Sequence, residues 1–151
     1  MAVQAWKFYN KGKKYISGTI NLGSATFDLH LYQSASNFAT NTLSTATGLT
    51  SQVASANNYT LAGKSLTSVT WSDGTSAGQK KFTSAALTFT ATGGAIANVK
   101  GAVIIARTGA SAKDPANKLL CYASLSSGQF TISQNNTMTL TMNASGIFTL
   151  V

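Results

Sequence analysis

Most of this chain repeats with a period of two residues, and that spacing admits strands far more readily than helices. In residues 26–32 (TFDLHLY), Phe27, Leu29 and Leu31 fall on one face and Asp28, His30 and Tyr32 on the other. The same alternation predicts strands over residues 66–71, 85–90, 119–125, 129–133 and 137–142. Residues 102–107 form a short apolar, β-branched run suited to a centrally buried strand, and residues 147–151 predict a closing one. Turn formers separate these runs: Ser72-Asp73-Gly74, Gly93-Gly94, Asp114-Pro115, Ser127-Gly128, Asn135-Asn136 and Ser145-Gly146. About eight short strands punctuated in this way predict an all-β chain, a single-domain β-sandwich or jelly roll.

Two stretches depart from this pattern. Residues 1–24 read as an N-terminal arm and first turn. A short helix there would carry Trp6 and Tyr9 on one face, opposed by Gly12, which weakens a helix by about 1 kcal/mol. Residues 34–58 are small and polar and longer than most loops, so they read as a functional loop or as one hiding a weak strand near residues 47–54.

Composition narrows the function. Of 151 residues only 9% are charged, against about 25% in a typical domain, and no glutamate is present. Eleven Lys and Arg against three Asp leave a net charge of +8. Ser and Thr, about a quarter of the chain, fill the positions that charges usually hold; the Thr excess suits pleated surfaces. Hydrophobic content is ordinary at 44%, which argues against disorder, and the absence of Glu argues against a coiled coil. The longest apolar run, residues 102–106 (AVIIA), is far shorter than a bilayer span. The opening lacks the apolar core of a secretory signal, so no such signal is expected and the sequons at Asn58, Asn135 and Asn143 carry no weight.

Catalytic motifs are weak. Residues 74–78 (GTSAG) match G-x-S-x-G, but no helical pattern follows and the lone histidine is upstream, so a hairpin loop is expected. Gly63-Lys64-Ser65 has neither the first glycine nor the strand-then-helix context of a phosphate loop. Asp28 and His30 share a strand face and read as a surface or interface histidine beside a carboxylate. One His, one Cys and three Asp are too few for a metal centre or a two-carboxylate glycosidase, so neither metal nor cofactor is expected. Cys121, in mid-strand, reads as a buried free thiol.

The strongest local signal is the basic, aromatic N-terminus. Lys7, Lys11, Lys13 and Lys14 are mixed with Trp6, Phe8 and Tyr9, and together these seven residues are the candidate partner-binding set. Such composition suits nucleic acid through counterion release and stacking. With no second basic cluster to read a groove, an acidic protein surface is the better fit. A charge-poor β surface is also inexpensive to desolvate against neighbouring subunits. A structural, non-enzymatic role follows.

The opening AWKFYNKGKKYISGTINLGSATFDLHLYQSASN, the closing NASGIFTL and, more loosely, SQVASANNY over residues 51–59 resemble small β-rich virion proteins of tailed bacteriophages, of the head decoration (cement) type. The resemblance implies a virion location, a major capsid protein as partner and a homo-oligomer, with a trimer favoured. A neck or tail subunit, such as a tail-tube or head–tail joining protein, is the alternative within that class. A carbohydrate-binding β-sandwich using Trp71 beside Asp73 is the alternative outside it.

Overall fold

A computed structural model describes residues 5–109, 114 and 116–150. Residues 1–4 of the expected arm, Pro115 of one expected turn and Val151 of the last expected strand lie outside the described residues.

Among the described residues the chain is all-β apart from one short helix and one 3-10 turn. In chain order it forms β1 (Lys7–Phe8), α1 (Asn10–Ile16), β2 (Phe27–Tyr32), the 3-10 turn Ala46–Gly48, β3 (Lys64–Ser65) and β4 (Thr70–Asp73). There follow β5 (Lys80–Thr83), β6 (Leu87–Thr90), β7 (Ile96–Val99), β8 (Gly101–Ala106), β9 (Lys118–Ser124), β10 (Phe130–Ile132), β11 (Thr137–Leu140) and β12 (Phe148–Leu150). Strand pairing is antiparallel throughout the described residues.

The central sheet runs β1-β9-β8-β2-β3. A second sheet, β12-β5-β4, is built on the β4–β5 hairpin. Two further pairs, β6 with β11 and β7 with β10, are halves of one long ribbon that bends between residues 91–95 and 133–136. Ala91 N–H donates to the Asn136 carbonyl and Asn135 N–H to the Ala91 carbonyl, so the backbone stays paired through the bend. Apolar side chains from all of these sheets meet in one core: Phe27, Leu29 and Leu31 of β2, Ile104 of β8, Phe82 of β5, Phe89 of β6 and Leu140 of β11.

The number of strands exceeds eight because two-residue pieces such as β1 and β3 carry too little period to detect, and because β5 and β7, four residues each, do not alternate clearly in sequence. The expected strand over residues 66–71 is displaced to β4. Leu66 N–H still donates to the Phe27 carbonyl, but Ser68 adopts a positive φ of 49°, which turns the chain away from β2 before pairing resumes at Thr70.

The larger difference concerns the other face of the central sheet. Alternation in residues 26–32 puts Asp28 and His30 on a face expected at a surface or an interface, yet all six β2 residues are buried within the chain, as are all six of β8. A second apolar cluster explains this. Tyr32, Val103, Ile105, Leu119 and Tyr122 project from the sheet, Tyr9 and Phe38 join them, and Leu43, Ala46 and Leu49 pack on top. Residues 34–53 therefore act as a cover. In place of the suspected strand over residues 47–54 lie the 3-10 turn and an isolated bridge from Gln52 to Tyr32. The Asn37 side chain braces the cover, donating to the Gly48 carbonyl at 2.8 Å and accepting from Thr50 N–H at 2.9 Å. Phe38 packs where a side chain at Gly101 would stand, so the glycine lets the ring lie directly on β8.

Candidate functional site: a basic, docked N-terminal segment

The N-terminal segment is part of the fold. β1 pairs with β9 in the register Lys7 to Tyr122 and Phe8 to Cys121, and Tyr9 N–H continues the ladder to the Leu120 carbonyl. α1 then packs on β9. Its buried residue is Gly12, and a Cβ there would collide with the Leu120 carbonyl. The same absence of a side chain that costs helix propensity is what permits the close approach.

Tyr9 is fully buried, its ring 4.9 Å from that of Tyr122 and its hydroxyl donating to the Phe38 carbonyl. Burial pushes its pKa far up, aided by the neighbouring Tyr32. It anchors this chain to itself, so the expected contact between Tyr9 and a partner is corrected: with 0% exposure it presents no surface. Trp6 and Phe8 are half-buried against the main core, with the Phe8 ring centroid 4.5 Å from Phe148. Lys7, Lys11, Lys13 and Lys14 are all exposed.

Strand pairing thus holds these four lysines on one docked segment. Lys13 and Lys14 fall in the last turn of α1, where the helix dipole favours positive charge, and no acid occupies the first turn. Lys118 of β9 adds a fifth cation, its Nζ 5.7 Å from the Tyr15 ring centroid. The acids are engaged elsewhere. Asp28 is buried against Arg107, Asp73 pairs with Lys80 in the β4–β5 hairpin, and Asp114 accepts from Ala116 N–H in its own loop. None of the five lysines forms an ion pair among the described residues. Sequence reasoning did not find Lys118, because only the packing of α1 on β9 brings residue 118 beside residue 15.

The Asp28 and His30 row is buried rather than at a surface, which corrects the sequence reading. Arg107 grips Asp28 with two bonds, Nε to Oδ2 at 2.9 Å and Nη2 to Oδ1 at 2.6 Å, and Ser65 Oγ donates to Oδ1 at 2.7 Å. Arg107 itself remains about a third exposed, at 31%. His30 is turned to Gln52, whose Nε2 lies 3.1 Å from Nδ1. With the Gln52 amide donating, Nδ1 accepts and the ring proton sits on Nε2, which makes no well-formed hydrogen bond among the described residues, although the Ala62 backbone lies close enough to favour the protonated ring. Burial lowers the His30 pKa to about 4, against an opposing pull from Asp28.

The remaining motifs fall in ordinary places. Residues 74–78 form the exposed loop of the β4–β5 hairpin, closed by Gly74 N–H to the Gln79 carbonyl, and Ser76 thus joins two strands of a different sheet from that of His30. Lys64 and Ser65 form β3 at the sheet edge. Trp71 packs on the main core, in the same cluster as Val69. Among the described residues no group of three or more His, Cys, Asp or Glu side chains comes together to hold a metal ion. No family model, curated protein or solved structure matches the chain.

Proposed function

We propose that this chain is a non-enzymatic structural protein of a tailed-bacteriophage virion, a head decoration (cement) protein that binds across neighbouring major capsid subunits. The observation that carries this reading is the segregation of charge. Four exposed lysines, with Lys118 beside them, occupy one docked segment of a chain whose acids are engaged in its own contacts. An acidic shell surface complements that face and favours one orientation of docking. Charge-poor strands then bury against the shell or against sister copies at low desolvation cost. Area buried across subunit boundaries opposes the outward pressure of packaged DNA. A closed homo-oligomer, a trimer by preference, places several such faces on one capsid site.

Quantitative mass spectrometry and imaging of the purified particle test this directly. Hundreds of copies on the head surface are expected. A single ring of roughly six to twelve at the neck, or stacked rings along the tail, would move the protein out of the head. Binding to undecorated heads is expected to fall when Lys7, Lys11, Lys13 and Lys14 are changed to Glu, and to weaken as salt is raised. Deletion of the first fifteen residues is the poorer test, because it also removes Tyr9 and Gly12 from the packed interior.

A further inference from the structure

The central sheet ends on β1 and the three-stranded sheet ends on β12; among the described residues neither has a strand on its outer side. A groove of about 440 Å³ lies between these two edges. Trp6 and Phe8 line one side and Gly146, Ile147, Phe148 and Thr149 the other, and none of the lining residues is charged. Cations flank it. Lys7 lies between Trp6 and Phe8, and Lys81 is the cross-strand neighbour of Thr149, with its Cβ next to Gly146. The one acid in this region, Asp73, is already held by Lys80.

We propose that this groove is a strand-addition site that takes an extended, acidic segment of the partner protein. Unpaired strand edges offer backbone donors and acceptors to an incoming chain, and alternate side chains supply selectivity. One row of the guest's side chains would be apolar, to lie on the Trp6, Phe8 and Phe148 rings. The other would carry carboxylates toward Lys7 and Lys81. A second copy of this chain is a poor guest, since it carries only three acids against eleven cations. The inference rests on the N-terminal face being a partner-binding surface, and it adds the form the partner takes there.

The test is a titration of the whole isotope-labelled protein at low salt with the peptide acetyl-DVTVDVTD-amide, followed by amide and indole NMR shifts. Two controls accompany it: the same peptide with lysine in place of aspartate, and the acidic peptide N-methylated at alternate backbone nitrogens. Binding of the acidic peptide is expected to move the signals of Trp6, Phe8, Phe148 and Thr149. Both controls are expected to bind at least tenfold more weakly. The double variant K7E/K81E is expected to reverse the preference between acidic and basic peptides. Absence of binding by all three peptides, or equal binding of the N-methylated form, overturns the proposal. Shifts confined to Lys11, Lys13 and Lys14 overturn the groove while leaving the basic face as the docking surface. Concentration-dependent shifts at Phe8 and Phe148 without any peptide would assign the groove to a second copy and also overturn it.

Discussion

Gly12 of α1 lies flush against the backbone carbonyl of Leu120 in β9, and this contact sets how closely the N-terminal segment docks on the central sheet. In an isolated helix, Gly12→Ala gains about 1 kcal/mol. Here the added methyl meets a rigid backbone oxygen, so a net loss of about 1–3 kcal/mol is expected, as for other overpacked sites. Urea unfolding monitored by circular dichroism measures it. A stabilised G12A variant would show that α1 is not seated against β9.

The buried pair of Asp28 and Arg107 yields a second expectation. Asp28→Ala leaves the guanidinium and the Ser65 hydroxyl without their acceptor, and is expected to cost about 3 kcal/mol. That is the low end for a broken buried pair, because Arg107 can still reach water. Replacing Asp28 and Arg107 together with Leu is expected to cost less than the sum of the single changes. A double-mutant cycle in urea reads the coupling directly.

His30 makes stability depend on pH. Its pKa is about 4 in the folded chain against about 6.5 when unfolded, so the unfolded chain binds the proton more readily. The contribution is fully present above about pH 6.5 and is lost as pH falls through 4, amounting to about 3 kcal/mol. Asp28 and Arg107 are the charged groups that bear on it, and they pull in opposite directions. Unfolding free energies measured from pH 7 to pH 4 are expected to fall less steeply in His30→Gln than in the parent.

For the lysine face, charge reversal is expected to separate binding from folding. K7E and K11E are each expected to change stability by no more than about 0.5 kcal/mol, as for other exposed positions, and K13E and K14E to cost up to about 1 kcal/mol because they reverse a charge in the last turn of α1. Thermal melts of the four single variants check this. A large loss in any of them would place that lysine in the packing of the N-terminal segment.

Cys121 is buried in β9 opposite Phe8, and burial raises its thiol pKa well above the ordinary value. Under native conditions a thiol reagent is expected to modify it only as fast as the surrounding structure opens. Complete modification in urea provides the reference. Rapid native labelling would show that β1 leaves β9 readily.

Much of the sheet structure was legible because alternation and β-branched runs are local. The run over residues 102–107 appears as β8, residues 119–125 as β9 and residues 26–32 as β2, each within a residue or so at its ends. Exposure of the four N-terminal lysines was legible too, since an ammonium group is rarely buried without a partner. The fate of Tyr9 was not, because nothing near it in sequence reveals that Phe38 offers its carbonyl twenty-nine residues away. Nor did alternation reveal that Asp28 and His30 are covered. Their partners Arg107, Ser65 and Gln52 come from separate strands and loops, and only those partners make burial of the row tolerable.

By itself the sequence determined that this would be a β protein with few charges and a cationic start, because strand period, turn residues and net charge are properties of short stretches of chain. Tertiary structure alone decided which faces are covered, that the N-terminus is a docked edge, and that the edges of β1 and β12 flank one uncharged groove. Those outcomes depend on long-range antiparallel register and on side chains meeting from distant segments, and register is set by the packing of whole faces rather than by any local run.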